Sequence, residues 1–478
     1  MTTHHARPEV RVDYPRMVRD LARFASIPSV SADAARAGDV RRAAAWLAQH
    51  ARASGFAEVR VHRTPGHPAV VAWTRPTGRP LVLVYGHYDV QPAGLAASWT
   101  SPPFRPTRRG AHLVGRGVSD DKGPLIAHLA AVRAWAAAGR RSVDVVLVAD
   151  GEEEVGSPHL GPVLDAVVRR RRPDAVVVSD TRMWGPRRPA LTVSLRGALH
   201  LRLDVLGASS DLHSGAYGGA VADPARELVR VLATLHDDEG RLTFATDERT
   251  TERRIHGGPD DQELLTAAGA RRPATGAVEA GWTAYERSTV RPALVVSRLR
   301  AGSAGGRGRA AAIVPRSASA ELTIRLPPGH DPDVALGGLT TRLNELYRAG
   351  TSWRLRELSR ALPVELPQRG PLVDAASDAY LAGFGRRPVL SRSGGSIPAV
   401  SRLTELGAPV VLMGFGLPDD RMHAADERVD LDVLRRSATA VVALHAEIAR
   451  RWTGKSTGVK PGAGTPNRSH DPVGADAR

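Results

Sequence analysis

The spacing of hydrophobic positions changes along the chain, and each change predicts a different kind of element. A helix is predicted from about Tyr14, with Pro15 in its first turn, and a second over residues 33–54, closed by Gly55. Short unbroken apolar runs rich in Val and Leu follow at 81–85, 143–149, 175–179 and 409–413, the length expected of strands buried on both faces. Helical segments at 123–138 and 159–170 lie between the early runs. Strands alternating with helices predict an α/β fold with a mostly parallel sheet flanked by helices.

Between about 191 and 354 the pattern alternates instead. Leu199, Leu201, Leu203 and Val205 are separated by His200, Arg202 and Asp204, and residues 320–326 behave alike, as in strands with one wet face. Helical patterns at 224–235 and 331–347 accompany them. The organisation expected is a larger domain over 1–190, resumed over 355–452, with a smaller α+β domain at 191–354 inserted into it. From Thr453 onward Gly, Pro and Ser dominate without periodicity, so 453–478 is expected to be a disordered tail.

A chain of 478 residues that is 42% hydrophobic has enough material for two domains or three. No run reaches the roughly 18 consecutive apolar residues of a membrane helix, and the opening lacks an apolar signal core. A cytoplasmic protein with no membrane partner is expected. The absence of cysteine excludes disulfides and thiolate sites, leaving His, Asp and Glu for any metal. The net charge of +16 would suit a nucleic-acid binder. However, only Lys122, Lys455 and Lys460 are lysines, and the arginines are spread along the chain, with 169–172 the best basic run. An arginine-for-lysine bias accounts for the charge, and no nucleic-acid partner is expected.

Candidate chemistry sits where the unbroken runs end. Residues 81–85 lead into His87 and Asp89, 143–149 into Glu152, Glu153 and Glu154, 175–179 into Asp180, and 409–413 through a loop to His423. In open α/β sheets ligands bind beyond the carboxyl ends of the strands, so these groups should converge in one crevice. Singly, each has a plainer role: the histidines as loop residues, Asp120 and Asp121 as caps of the helix beginning near Gly123, the glutamates as a solvated run. Jointly they point to chemistry. His87 and Asp89 are two apart, so Asp89 can accept a hydrogen bond from the second ring nitrogen and fix the tautomer of a metal-binding imidazole. Two histidines and three carboxylates suit two Zn²⁺ or Mn²⁺ ions about 3.5–4 Å apart, leaving one glutamate free as a general base.

The strings Gly86-His87-Tyr88-Asp89-Val90-Gln91-Pro92, Gly115-Arg116-Gly117-Val118-Ser119-Asp120-Asp121-Lys122-Gly123, Asp211-Leu212-His213-Ser214-Gly215 and Gly394-Gly395-Ser396-Ile397-Pro398 resemble the carnosinase-like dipeptidases. These belong to the larger aminoacylase and succinyl-diaminopimelate desuccinylase family. Matching segments run from Ile27-Pro28-Ser29-Val30 to His423. The resemblance implies a di-zinc peptidase fold whose inserted domain serves as lid and dimerisation surface. It makes Asp120 the bridging carboxylate, with His87 and Asp180 on one ion, and Glu154 and His423 on the other. Glu153 becomes the general base, in the register set by Val155-Gly156-Ser157, and Asp89 supports His87. The peptide joining Asp120 to Asp121 is expected to be cis. His213 is expected to stabilise the oxyanion from across a homodimer interface, and Arg325 with Gly394, Gly395 and Ser396 to hold the substrate carboxylate.

The resemblance therefore implies metal-dependent hydrolysis of the amide bond of dipeptides or short peptides, with two divalent ions per chain, Zn²⁺ foremost and Mn²⁺ or Co²⁺ as alternatives. In one respect the chain departs from the pattern: where carnosinase-like enzymes often carry an acidic residue before the two glycines, it has Ser393, preceded by Arg392. That leaves open an N-acyl- or N-carbamoyl-amino-acid hydrolase using the same site. A catalytically silent binding protein on this scaffold would be marked by loss of Glu153 or of a ligand, and none is missing.

Overall fold

In the computed structural model, which describes residues 10–244, 258–267, 269, 278–302, 312–346 and 348–452, the unbroken apolar runs form the middle of one nine-stranded sheet. Its order is Glu58–His62, Ala69–Trp73, Asp144–Asp150, Leu81–His87, Ala175–Val178, Val410–Leu412, Ala190–Leu195 and Val364–Glu365, with Val389–Ser393 also paired to Ala190–Leu195. From Asp144–Asp150 to Val410–Leu412 neighbouring strands are parallel. Towards the edges the pairs are antiparallel, apart from Val389–Ser393. The sheet is thus mixed around a parallel centre.

Every residue of Leu81–His87 is buried, which explains why its sequence does not alternate. Val82 and Val84 pack with side chains of Tyr14–Ala25, Ala37–Ala53, Lys122–Ala137, Pro371–Phe384 and Leu431–Arg451. Leu81, Leu83 and Tyr85 face the other way, towards Leu160–Arg170 and Pro398–Glu405. Burying one such side chain contributes roughly 1.5–3 kcal/mol. An aspartate at Val84 would forfeit that and leave an unpaired charge in the core. The first helix begins as its sequence indicates: Asp13 accepts the N–H of Arg16, Pro15 takes an early position where no N–H is needed, and Met17, Leu21 and Phe24 are buried. Gly55 follows the second helix with φ +98°.

The alternating segments form a separate four-stranded antiparallel sheet, in the order Ala293–Ala301, Ser317–Leu326, Gly197–Leu206 and Ser352–Ala361. Leu199, Leu201, Leu203 and Val205 share a cluster with Ala320, Leu322 and Ile324 beneath Pro224–Ala233 and Pro332–Leu346. The chain enters this sheet at Gly197, later than the expected 191, because Ala190–Leu195 is buried throughout and pairs within the large sheet. It leaves after Ala361, since pairing to Gly197–Leu206 continues past residue 355. Alternation alone does not mark either crossing.

Of the basic run, Arg170 pairs with Glu58 and lies over Trp73, Arg171 pairs with Asp144, and Arg172 donates to the carbonyl of Leu406. Among the described residues no helix is long and apolar enough to cross a membrane. The tail expected from Thr453 lies outside them.

Candidate metal centre

The residues singled out at the strand ends come together. His87 closes the strand Leu81–His87, Asp180 lies two residues past Ala175–Val178, and Glu153 and Glu154 occupy a single helical turn just beyond Asp144–Asp150. Asp120 arrives from the loop before Lys122–Ala137 and His423 from the loop after Val410–Leu412. Nε2 of His87 lies 3.0 Å from Oδ1 of Asp120 and 3.8 Å from Oδ2 of Asp180. Nε2 of His423 lies 2.9 Å from Oδ2 of Asp120 and 3.4 Å from Oε2 of Glu154. One set of ligand-type atoms, from His87, Glu153 and Asp180, and another, from His87, Asp120 and Glu154, each fall within 4.8 Å of one another.

Surrounding bonds set these positions. Nδ1 of His87 is 3.1 Å from the backbone carbonyl of Asp89 and 3.4 Å from its Oδ1, so the nearer partner is the carbonyl and not the carboxylate that spacing suggested. The Asp89 carboxylate chiefly accepts the amides of Glu153 and Glu154. Nε2 of Gln91 donates to Oε2 of Glu154 at 2.7 Å. The peptide between Asp120 and Asp121 is cis. Asp121 stands at the helix N-terminus but its side chain caps nothing; Oδ2 accepts the N–H of His87 instead. A Cβ at Gly86 would lie 2.6 Å from that oxygen, so the strand can approach Asp121 only with glycine there.

Sequence reasoning missed Arg196 and Glu427, and gave the Asp121 side chain only a capping role and Gln91 only a place in a motif; none of the four was given the contacts it makes. Glu427 is fully buried and bonded to the amides of Gly117, Ser119 and Asp120 and to Arg116. None of the four belongs to a pattern of spacing, and their partners are mostly backbone groups.

The donor set suits divalent cations. Burial works against ionisation of Asp120, but its hydrogen bonds to His423 and His87 outweigh that and hold it well below the usual carboxylate range. Burial would lower His87, yet Asp120 and Asp89 pull it well up. Asp120 and Glu154 raise His423 to about 10. Asp180 is pushed well up by burial and by Asp120, and Glu153 by burial and by its carboxylate neighbours Asp180, Glu154 and Asp89. Four carboxylates thus gather around two imidazoles, and the cluster draws in protons to offset its negative charge. Cations bound to the same oxygens and ring nitrogens would meet that need.

The other expected residues divide into two places. Nη1 of Arg325 donates to Oγ of Ser396 at 2.9 Å, joining the small sheet to the loop after Val389–Ser393. In the same loop Ser393 Oγ accepts the N–H of Gly395 at 3.1 Å. Arg196, buried at the crossing between the sheets, donates to the carbonyls of Gly394, Arg287 and Arg291. Burial and the charge of Arg325 lower it to about 10. His213 is exposed on the inserted segment, where its Nδ1 accepts the N–H of Gly215, and no hydrogen bond or ion pair among the described residues joins it to the cluster.

Ionisable donors gathered at the carboxyl ends of the parallel centre of a sheet, in a chain with a second sheet inserted into the first, define a metal-dependent hydrolase. Residues 83–447 match Peptidase family M20/M25/M40, and the chain belongs to that family. It is similar to the Cys-Gly metallodipeptidase dug1 of Schizosaccharomyces pombe, 29% identical over 447 residues that take in 87% of this chain and 92% of the relative. It is also similar to the Beta-Ala-His dipeptidase of Rattus norvegicus, 26% identical over 398 residues and 79% of each chain. The solved structure of the di-peptidase Dug1p from Saccharomyces cerevisiae is similar with a TM-score of 0.81 and 25% identity, over 91% of this chain and 96% of that one. Membership makes this chain a peptide-bond hydrolase that works with divalent metal.

Proposed function

We propose that the chain hydrolyses the amide bond of dipeptides, with two divalent ions held at the strand ends and Glu153 as general base. The observation that carries this reading is Asp120, whose two oxygens face His87 and His423 from opposite sides, as a carboxylate shared between two cations would. His87 and Asp180 then hold one ion, Glu154 and His423 the other. When bound, the ions, Zn²⁺ foremost, would supply the Lewis acidity that acidifies a water and polarises the scissile carbonyl. Glu153 takes a proton from the attacking water and returns it to the leaving amine. Asp89 keeps Glu153 and His87 in place. Arg325 and the amides of the Gly394-Gly395-Ser396 loop hold the substrate carboxylate, for which a guanidinium and N–H groups are suited.

The inserted segment acts as lid and dimer surface, and His213 donates to the oxyanion forming in the partner's site. Support comes from the exposed His213 and from the outer strand Ala293–Ala301, which leaves Val295, Val296 and Leu299 in solvent on a sheet edge that no strand among the described residues pairs.

A second reading, an N-acyl- or N-carbamoyl-amino-acid hydrolase, is favoured by one detail. Ser393 stands before the two glycines, and its neighbour Arg392 brings positive charge, 3.6 Å from Glu365. A free substrate amine gains no carboxylate from residue 393. The test measures hydrolysis of Cys-Gly and β-Ala-His against their N-acetylated forms, after reconstitution with Zn²⁺, Mn²⁺ or Co²⁺. Preference for the free dipeptides supports the first reading, preference for the acetylated forms the second, and no turnover of either rejects both.

A further inference from the structure

The loop carrying His423 is strained at three positions. Arg421, His423 and Asp426 have left-handed backbone, with φ of 56°, 63° and 59°. Such conformations cost a residue with a side chain free energy and persist only where the surroundings impose them. His423 is itself exposed, so packing around its ring does little to fix it.

Two buried carboxylates of the same loop turn away from His423 and into the segment that presents Asp120. Oε1 of Glu427 accepts the N–H groups of Ser119 at 3.0 Å and Asp120 at 3.2 Å. Its Oε2 accepts the N–H of Gly117 at 2.9 Å and Nη1 of Arg116 at 2.7 Å. Its backbone carbonyl accepts the N–H of Gly115 at 2.8 Å. Oδ2 of Asp420 accepts the hydroxyl of Ser119 at 2.7 Å and the N–H of Leu417 at 2.8 Å. A counter-ion for Arg116 would explain one of these bonds. It would not explain why all the rest but the bond to Leu417 fall on Gly115, Gly117, Ser119 and Asp120 of one loop, nor why the two acids flank His423 at three positions before it and four after.

Resting on the two-ion reading above, we infer that Asp420 and Glu427 are positioning residues, which strap the His423 loop to the Asp120 loop so that Nε2 of His423 and Oδ2 of Asp120 meet a cation as a preset pair. They touch neither substrate nor ion. Their effect passes through the placement of His423, and hydrogen-bonded supports of metal ligands typically change metal affinity by about 10–100-fold.

The experiment uses the full chain with Glu427→Gln and Asp420→Asn, each alone and combined with His423→Ala. Zn²⁺ affinity is measured by competition with a chromophoric chelator, Co²⁺ loading by its visible absorption spectrum, and folding by thermal unfolding. In the wild-type background each substitution is expected to weaken the second Zn²⁺ by about 10–100-fold, alter the Co²⁺ spectrum, and lower kcat more than it raises KM. In the His423→Ala background the same substitution should cost little further affinity, because the residue through which it acts is already gone. Equal losses in both backgrounds, or a lower thermal midpoint with affinity and spectrum unchanged, overturn the inference. Should Glu427→Gln fail to fold, the Asp420→Asn cycle decides in the same way. A wild-type chain that takes up fewer than two ions overturns instead the two-ion reading beneath it.

Discussion

Glu153 donates its backbone N–H to Oδ1 of Asp89 at 3.2 Å, while the next residue, Glu154, donates its own to Oδ2 at 3.1 Å. Both glutamates hang from one carboxylate, in a turn that ends at Gly156 with φ +95°. From there the side chains diverge. Glu153 falls among His87 and Asp180, and Glu154 among His87 and Asp120, where Gln91 holds it. Neighbours in sequence can therefore take different tasks.

That divergence leads to a paired expectation. Glu153→Gln should abolish nearly all turnover with both ions retained, because a base acts on the water without ligating metal. Glu154→Gln should instead weaken one ion. Metal content and single-turnover rates on the two variants check this, and exchanged phenotypes would show the register to be off by one residue.

The freshly reconstituted protein should carry two divalent ions per chain and lose activity to chelators. Elemental analysis after gel filtration measures the ratio. One ion or none per chain rules out a carboxylate shared between two cations at Asp120.

His213 should serve the neighbouring chain. Loss of one oxyanion donor costs about 10²–10³ in turnover, so His213→Ala should be nearly inactive with its metals intact. Mixing it with Glu153→Gln under subunit exchange creates hybrid dimers in which one site has both groups. Activity should then recover towards about a quarter of wild type, since random pairing makes half the dimers hybrids with one working site each. No recovery despite demonstrated exchange would place His213 in its own site or outside the reaction.

A pH effect on stability is expected from His445. Burial lowers it from 6.5 to about 4, and burial lowers nearby His128 to about 3, where Ser179 bonds its ring. With the folded pKa below the unfolded one, the unfolded chain takes up protons first, so stability falls as pH drops from 7 towards 4. At pH 5 His445 alone should cost about 2 kcal/mol, as one pKa unit corresponds to roughly 1.4 kcal/mol. Asp420, raised to about 7 by burial, works in the opposite sense, losing its contribution as pH rises towards 7. The comparison between variants is therefore decisive. Denaturant unfolding of metal-free His445→Leu should show a smaller difference between pH 7 and pH 5 than wild type, and parallel profiles would dismiss the effect.

The parallel centre of the sheet was legible because burial on both faces removes alternation, and residues 81–85 and 175–179 show that plainly. The clustered side chains were legible by type, and His87, Glu153, Glu154 and Asp180 also by their places at or just beyond strand ends. Glu427 and Asp420 were not, because their partners are backbone amides and a hydroxyl, which leave no periodic trace. The Asp89 contact was half legible. Spacing placed it beside His87, but whether the ring meets carbonyl or carboxylate depends on the path of the loop. The crossings at Gly197 and Ala361 were hidden because a buried strand and an alternating one adjoin with little punctuation between them.

Those crossings lie side by side. Ala198 and Ala361 are cross-strand partners, as are Leu195 and Val364, and a Cβ at Gly197 would fall 2.7 Å from the carbonyl of Ala361. The outgoing and returning segments thus make one narrow ribbon. The backbone between 197 and 362 therefore leaves and rejoins the large sheet at one ribbon, and side-chain bonds such as Arg325 to Ser396 and Tyr285 to Arg392 tie it down elsewhere. Leu195 and Val364 already sit opposite each other on antiparallel strands, so a two-residue hairpin turn can close the gap if that stretch is cut out. The trimmed chain would keep each residue placed around Asp120 while losing Arg325 and His213, which turns the division of labour between the sheets into something that can be built and assayed.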